Sequence, residues 1–384
     1  MNAAHVSPAA GADAVRERIL AAREQKAKLR VVGGGAWKHA GRQVSATQSL
    51  SLAHDRGIVE YVPGDLTLTA RAGATLAEIE TATREHDQWL PLDPWGGDSG
   101  TIGATVSTAT AGPHAYAMGL PRDVVLGVEM VSGTGQIIRA GGRVVKNVAG
   151  FDLTRLAVGS WGTLGVVTEV TVRLRARPPE TRTVVLAAPG DASALSAIAA
   201  KVRALPFAPL ACELVDARLA ALLGLPSRSA VIVRVAGNAR AVAAQLDHLR
   251  GLTAAHDAPD DIWKALREIE LTGCASWRWS QLPSAFGDTW TAAAHATRSL
   301  HSAMLHASVM RGVVRVLVPI AANDSASDMA RAATAFTGTT AIEALPAAAW
   351  QHVDLSPAQD AVSRAIRLKF DPDGVLNPGI LGDA

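Results

Sequence analysis

The chain has 384 residues, of which 48% are hydrophobic and 19% are charged. It is long enough for two or three domains, each with its own core. The formal net charge of +2 gives no electrostatic reason to expect a nucleic-acid partner. The two cysteines, Cys212 and Cys274, are too few for a disulfide framework and lie in no metal-ligand spacing, which favours a reducing compartment.

From the sequence we expect neither export nor insertion into a membrane. Residues 1–15 lack a basic start followed by an apolar run, so we expect no signal peptide. A spanning helix needs an apolar stretch of about 18 residues or more, and the sequence has none.

The first elements alternate between helix and strand. Apolar residues at helical spacing predict a surface helix over 12–28, and a β-branched run predicts a strand over 29–32. A strand is also predicted over 67–72. Thr75 and Glu78 then form a capping box, which predicts a helix that continues to about residue 86.

A stretch of small residues separates these elements from a hairpin. Residues 90–112 are so rich in Gly, Ser, Thr and Ala that we expect neither an ordinary core strand nor a helix. Residues 124–140 predict a hairpin with its turn at 132–135, and alternation predicts another strand over 164–174.

The composition changes after the sequence Arg-Pro-Pro-Glu at 177–180. Ala/Leu-rich helical patterns then alternate with strand patterns such as 231–235 and 313–319, which indicates a mixed α+β second domain. Near the end, Ser356, Pro357 and Gln359 predict the start of a helix. We therefore expect domains at 1–178 and 179–340, with 341–384 packing back on the first.

The run Gly33-Gly34-Gly35-Ala36 follows a predicted strand. Successive unhindered N–H groups in such a loop form a concavity suited to phosphate oxygens, although an ordinary tight turn is an equal alternative. The loop opens no GxGxxG helix and lacks the Lys-Ser/Thr pair of a Walker loop.

The second glycine-rich stretch, which carries Gly96, Gly97, Gly100 and Gly103, strengthens the interpretation. Small residues over so long a run would let an extended ligand lie against the main chain. The interleaved Ile102 and Val106 argue against the alternative, a flexible linker.

Five motifs resemble one flavoprotein family when they are taken in order. They are GGGAWKHAG at 33–41, PLDPWGGDSGTIGATVSTATAG at 91–112, VVKNVAGFDL at 144–153, GSWGTLGVVTEVTVRL at 159–174 and FDPDGVLNPG at 370–379. Together they are similar to the vanillyl-alcohol-oxidase/PCMH family over about 1–178 and 341–384. The third motif and the short middle domain most resemble the FAD-binding E subunits of bacterial glycolate oxidases.

This resemblance implies an α+β fold: a PCMH-type FAD-binding domain of two α+β subdomains, a smaller mixed α+β cap domain and a C-terminal segment that returns to the FAD domain. It also implies a set of FAD-binding residues, namely Gly33, Gly34, Gly35, Ala36, Pro94, Gly97, Thr101, Ile102, Gly103, Ala104, Ser107, Gly112, Gly162, Thr163, Leu164, Gly165, Val166 and Asn377. Ala104 stands where relatives often have a second glycine.

Some relatives attach the flavin covalently through a His in the first glycine loop. Here His39 lies four places past the last glycine of that loop, so we expect FAD to be bound non-covalently.

Catalytic residues are less clearly indicated. Oxidation of a 2-hydroxy acid needs a cation for the carboxylate and a base for the hydroxyl proton. Arg278, in the run Ser-Trp-Arg-Trp-Ser, is a candidate for the first role and His306 for the second. Equally, Arg278 is consistent with a strand that buries its tryptophans, and scattered His residues are more often structural. No metal-ligand set is found.

The resemblance implies a glycolate oxidase subunit that oxidises glycolate to glyoxylate. Its expected partners are a second FAD-linked catalytic subunit and an iron–sulfur subunit, because this chain has no four-Cys cluster motif of its own. A stand-alone 2-hydroxy-acid dehydrogenase and a non-catalytic scaffold are the alternatives. We expect a cytoplasmic location, or a peripheral one at the inner membrane through partner subunits.

Overall fold

A computed structural model describes residues 5–8, 10–142, 152–188, 192–269, 273–320, 325–354 and 360–382. Two sequence predictions lie outside these residues. One is most of the VVKNVAGFDL motif, at 144–151, and the other is the helix start at Ser356, Pro357 and Gln359.

A small parallel sheet begins the chain. It contains β1 (His5–Pro8), β2 (Leu29–Val32) and β3 (Gln48–Ser51), with β3 in the middle. The connecting helix α1 (Gly11–Glu24) buries its apolar face, including Val15 and Ile19, in the core of the N-terminal half. It ends earlier than the predicted residue 28.

A five-stranded antiparallel sheet packs against α1. Its order is β4-β5-β9-β7-β8. The strands are β4 (Ile58–Val62), β5 (Thr67–Arg71), β7 (Val125–Ser132), β8 (Ile137–Gly141) and β9 (Gly165–Arg173). Between them lie a short strand β6 (Gln88–Trp89) and the helices α2 (Leu76–Arg84), α3 (Ile102–Thr108), α4 (Ala115–Met118), α5 (Pro121–Val124) and α6 (Leu153–Ala157). The strand β6 pairs with β10 (Arg175–Ala176).

The predicted capping box is present at the start of α2. The Thr75 hydroxyl accepts a hydrogen bond from the Glu78 N–H at 3.1 Å, and the Thr75 N–H donates to the Glu78 carboxylate at 2.7 Å. Two of the four unpaired N–H groups of the helix terminus are satisfied in this way. The helix ends at Arg84, two residues before the predicted end.

The expectation of no helix within 90–112 is wrong. Thr101 caps α3 by accepting a hydrogen bond from the Ala104 N–H at 3.3 Å. Small residues favour the helix here because its axis lies close to the end of β5. A Cβ on Gly103 would stand 2.6 Å from the Cβ of Ala72.

The second half of the chain builds one eight-stranded antiparallel sheet, in the order β14-β11-β13-β12-β16-β17-β15-β18. The strands are β11 (Glu180–Ala187), β12 (Ala211–Val215), β13 (Ala230–Gly237), β14 (Ala255–Ala258), β15 (Cys274–Ser280), β16 (Met304–Ser308), β17 (Val313–Pro319) and β18 (Thr339–Ala344). The helices are α7 (Ala192–Arg203), α8 (Ala217–Leu222), α9 (Ala239–Arg250), α10 (Ile262–Glu268), α11 (Phe286–Ala296) and α12 (Ala326–Thr334).

The two faces of this large sheet differ. One face packs against α7, α9, α11 and α12 in an apolar core that contains Trp277 and Trp279. The opposite face carries a smaller apolar cluster together with charged side chains, and Trp95 of the N-terminal half packs into that cluster.

The C-terminal segment contains α13 (Ala347–Trp350), which packs against α12 in the core of the second half, and α14 (Ala361–Phe370), after which the chain returns to the N-terminal half. The Leu29 N–H donates to the Val375 carbonyl at 2.8 Å, so residue 375 lies beside β2. Asp360 caps α14. The domain limits at 178 and 340 remain our proposal, and β18 crosses the second of them.

Candidate functional site

A cleft lies in the N-terminal half, and residues of the C-terminal segment complete its wall. Its walls come from the end of β2, the Gly33–Gly35 loop, the segment 94–108, the turn at 161–162 and residues 377 and 380.

The glycine loop presents bare main-chain donors to the cleft. Among the described residues, no hydrogen bond uses the N–H groups of residues 33–37. Gly35 adopts φ +85°, and a Cβ added there would meet no atom within 4 Å. Successive free N–H groups in such a loop attract phosphate oxygens, because each peptide dipole is directed at the anion.

Close packing behind the loop explains why residue 33 is a glycine. A Cβ on Gly33 would lie 2.4 Å from the Thr101 hydroxyl oxygen. Since Thr101 is also the N-cap of α3, the loop and the start of this helix are held against each other. A side chain at position 33 would push them apart.

Asn377 joins three parts of the cleft wall. Its side-chain oxygen accepts from the Val31 N–H at 2.8 Å, and its side-chain nitrogen donates to the Trp161 carbonyl at 2.8 Å. The side chain is buried and the backbone is left-handed, at φ 45°. One amide therefore fixes β2, the turn at 161–162 and the C-terminal segment relative to each other.

Most residues that the resemblance implied for the cofactor do line this cleft. They are Gly33, Gly34, Gly35, Ala36, Pro94, Gly97, Thr101, Gly103, Ala104, Ser107, Gly162, Gly165 and Asn377.

Five implied residues do not line the cleft, and each has another place. Ile102 and Val166 are buried in the core of the N-terminal half. Leu164 is also buried, and Thr163 faces a different groove beside α14. A Cβ on Gly112 would lie 1.9 Å from the Asp93 carbonyl oxygen, so this glycine allows a close approach of two main chains.

The sequence analysis missed all three tryptophans that line the cleft, Trp37, Trp95 and Trp161. Trp37 and Trp161 both face it, and both also face a second cavity. Their places inside the two glycine motifs were the available signal. The left-handed backbone of Trp161, at φ 54°, is unusual for a bulky residue and was not evident from sequence.

The second cavity lies beside the cleft and reaches the large sheet. The two share Trp37, Thr108, Thr110, Trp161 and Ile380. On the far wall are Arg278 of β15 and Glu343 of β18. Trp277 and Trp279 are buried on the helix side, as the strand interpretation expects, while Arg278 faces the cavity, and its role in binding a carboxylate stays a prediction.

A buried carboxylate organises the arginines on this sheet face. The Glu343 carboxylate accepts from the Arg315 Nε at 2.7 Å and lies 3.7 Å from Arg278. Burial alone would raise the pKa of Glu343, but the Arg315 and Arg278 guanidiniums outweigh it and hold that pKa below its usual range. Two cations and one ionised carboxylate leave a net positive charge beside the cavity, which favours an anionic ligand.

His306 lies deeper in the same sheet face and lines neither cavity. Its ring stands 4.8 Å from the Trp95 ring, and its Nδ1 is 3.4 Å from the Glu213 carboxylate. Burial raises the pKa of Glu213 to about 8. Trp95 itself lines the cleft, so it separates His306 from the ligand space. The structure therefore does not bring His306 to a reacting atom.

Neither a metal-binding cluster nor a membrane-spanning helix is found among the residues that the structure describes. In the part of the chain that the structure describes, no group of three or more His, Cys, Asp or Glu side chains is arranged to hold a metal ion. Within those same residues, no helix is both long enough and apolar enough to cross a bilayer.

Comparison with known families identifies the N-terminal half. Residues 3–141 match the family model described as FAD binding domain. This part of the chain has the fold expected of a PCMH-type FAD-binding domain. The free N–H groups of the glycine loop fit FAD, whose pyrophosphate needs such donors.

Relatives and solved structures extend the comparison beyond the FAD-binding domain. The chain is 42% identical over 166 residues to the glycolate oxidase subunit GlcE of Escherichia coli strain K12, covering 43% of this chain and 47% of that one. It is 36% identical over 167 residues to the glycolate oxidase subunit GlcD of Bacillus subtilis strain 168, covering 44% and 35%. The matches thus span less than half the length of these relatives.

The fold agreement covers the whole chain. A structure of p-cresol methylhydroxylase with substrate bound superposes with a TM-score of 0.77 at 16% identity, covering 100% of this chain and 90% of the other. The predicted α+β fold with a PCMH-type FAD-binding domain is confirmed, and so is FAD as the cofactor. His39 is exposed and does not line the cleft, and non-covalent attachment stays a prediction.

Proposed function

We propose that this chain is the FAD-binding subunit of a glycolate oxidase complex, in which glycolate is oxidised to glyoxylate. In the proposal, electrons pass through the flavin to an iron–sulfur partner, and a second FAD-linked subunit completes the complex. The similarity to glycolate oxidase subunits supports this choice over other oxidations of a CH–OH group.

The observation that carries the proposal is the second cavity with Arg278 on its wall. The cavity shares five lining residues with the FAD cleft, which places a small molecule in it beside the cofactor site. A guanidinium binds a carboxylate through two parallel hydrogen bonds, which fixes both position and orientation. Glu343 and Arg315 hold this sheet face rigid, so Arg278 is the proposed carboxylate-binding residue.

Oxidation of glycolate removes a hydride from C2 and a proton from the hydroxyl group. When bound, FAD supplies the hydride acceptor. The role of the chain is to hold the carboxylate at Arg278, with the indoles of Trp37 and Trp161 on the walls shared by the two cavities. The low-dielectric wall strengthens the attraction between Arg278 and the substrate anion.

The proton acceptor is the weak part of the site. Among the described residues that line the second cavity there is no His, Lys, Tyr or Asp. Glu343 lines it, but its lowered pKa makes it a poor base. We assign His306 a positioning role, through its contact with Trp95, in place of the catalytic role expected from sequence.

This shortage of a base supports a second candidate function. In it, the chain holds FAD and relays electrons, while the sister subunit oxidises the hydroxy acid. The stand-alone dehydrogenase is the less supported alternative, because it would need the chain to provide its own base.

An anaerobic absorbance experiment tests these alternatives. The purified chain is loaded with FAD and mixed with glycolate, and separately with D-lactate and D-2-hydroxyglutarate. Bleaching of the flavin bands by glycolate supports direct oxidation. Bands that persist alone but bleach after addition of the sister subunit support the relay. Bands that persist in both cases for all three acids would overturn the proposal, and failure to retain FAD would support the scaffold alternative.

A further inference from the structure

The segment of residues 93–100, here called the bridging segment, touches the FAD cleft on one side and the large-sheet half on the other. Pro94, Gly96, Gly97 and Gly100 line the cleft. Trp95 packs among the apolar residues of the large sheet, beneath the Arg315 guanidinium at 4.8 Å from its ring centre. The segment is therefore a direct physical link between cofactor and second half.

The end of α10 holds the middle of this segment. The Arg267 Nη1 donates to the Asp98 carboxylate at 2.8 Å, and the Arg267 carbonyl accepts from the Gly96 N–H at 2.8 Å. The next residue, Glu268, packs against Gly97, because a Cβ added to that glycine would lie 2.9 Å from the Glu268 Cγ. Three consecutive residues of the segment thus meet two consecutive residues of α10.

Arg267 is well suited to this role. Its side chain is only 10% exposed, whereas that of Asp98 is 48% exposed. Burial opposes the charge of Arg267, but the hydrogen bond that it donates to Asp98 and the nearby carboxylates of Asp93, Asp98 and Glu268 outweigh burial and raise its pKa. A charge that is buried on one side and directed at one exposed carboxylate holds its partner in a defined place.

The other side of the bridging segment is fixed to the FAD domain. The Asp98 carbonyl accepts from the Ala77 N–H at 3.0 Å, and the Gly100 carbonyl accepts from the Leu76 N–H at 3.0 Å. Both donors belong to the first turn of α2, whose end N–H groups have no partner within the helix. The segment is consequently held between α2 of the FAD domain and α10 of the second half.

From this arrangement we propose that Arg267 is a positioning residue for FAD. It fixes the cleft wall at residues 96–100, so that FAD binding and the docking of α10 stabilise each other. The proposal rests on FAD binding, which the domain comparison shows, and not on the identity of the substrate. By thermodynamic reciprocity, FAD must then also stabilise α10 against opening.

The test measures the FAD dissociation constant and, separately, the melting temperature of the apoprotein. The variant Arg267→Gln removes the charged donor of the hydrogen bond to Asp98. The variant Asp98→Asn removes the negative charge of the acceptor, which is the more exposed partner. Each variant is expected to weaken FAD binding about tenfold, in line with the loss of one charge-assisted hydrogen bond. The double variant is expected to be no weaker than the worse single variant, because one contact is removed in every case.

Two controls separate positioning from general stability. Arg250→Gln removes an exposed pair with Asp257, at 2.9 Å, in the same half of the molecule, and should leave FAD affinity unchanged. Arg267→Lys keeps the charge and one donor, and should recover part of the affinity. Hydrogen exchange in α10 should slow on FAD binding in the natural protein but not in Asp98→Asn.

Three results would overturn the proposal. One is an FAD dissociation constant within about twofold of the natural value in Asp98→Asn. Another is a loss of affinity in Arg267→Gln matched by an equal loss with Arg250→Gln. The third is additive losses in the double variant. Asp98 lies at the surface, so this variant keeps the test decisive if Arg267→Gln does not fold.

Discussion

The glycine loop lines the cleft, the charged face of the large sheet lines the second cavity, and the two offer a ligand different groups. The loop offers main-chain N–H groups of five consecutive residues, 33–37, and needs no charge of its own. The sheet face uses the side chains of Arg278, Arg315 and Glu343, which come from three strands. The glycine loop is suited to a cofactor that stays bound through every turnover. The charged sheet face is suited to a small anion that is exchanged at each turnover.

The largest effect should come from blocking the loop. A Cβ on Gly34 would lie 3.4 Å from the Thr101 Cγ2, so the backbone accepts a side chain there, but the added methyls of Gly34→Val would enter the cleft. We expect FAD affinity to fall at least about a hundredfold, because a phosphate can no longer reach the N–H groups. Fluorescence titration of the apoprotein with FAD measures it. Gly64→Val, in open space away from the cleft, is the control. Stoichiometric FAD in Gly34→Val would show that the pyrophosphate lies elsewhere.

Removal of the Asn377 side chain should affect the whole N-terminal half. The variant Asn377→Ala leaves the partly buried Val31 N–H and Trp161 carbonyl without their partner. We expect a loss of about 2 kcal/mol in the free energy of unfolding, measured by urea denaturation. Asn238→Ala, which removes an exposed helix cap, should cost less, at about 1 kcal/mol. Equal losses would mean that Asn377 fills space without joining the three segments.

A carboxylate site that depends on the Arg278 side chain should distinguish Arg from Lys at that position, whereas FAD binding by main-chain N–H groups should not. Arg278→Lys keeps the positive charge but loses the planar pair of donors. We expect the KM for glycolate, or the dissociation constant if the chain only binds it, to rise about tenfold while FAD affinity is unchanged. Arg42, which also lines the second cavity, serves as a comparison through Arg42→Lys. A larger effect at position 42 would move the carboxylate site there.

The smallest effect concerns pH. Burial raises the pKa of Glu213 to about 8, although a hydrogen bond from Ser308 and the nearby Arg311 and Arg315 oppose the shift. The folded protein thus holds this proton more tightly than the unfolded chain, and the stability it contributes is lost as the pH rises through about 8. From pH 7 to pH 8 we expect a loss of about 1 kcal/mol, which should be absent in Glu213→Gln. Thermal unfolding at the two pH values measures this loss. An equal change in the free energy of unfolding in the natural protein and in Glu213→Gln would contradict the prediction.

The same contrast explains how much could be predicted from sequence. The glycine loop was found because bare N–H groups require glycine, and glycines stand together in the chain. The capping box of α2 and the hairpin at 124–140 are local in the same way. By contrast, Glu343, Arg315 and Trp95 meet only after strands far apart in sequence have paired, and no spacing rule connects them. The helix α3 was missed because its small residues reflect close packing on β5, which a propensity argument does not include.

The return of the C-terminal segment has a consequence for how the protein is made. Residues 375–377 bond to β2, and Asn377 completes the wall of the FAD cleft. A chain still emerging from the ribosome cannot have this wall until residue 377 is free. The complete cleft wall is therefore available to FAD only after residue 377 has been added and has paired with β2, although domains generally begin to fold from the N-terminus first.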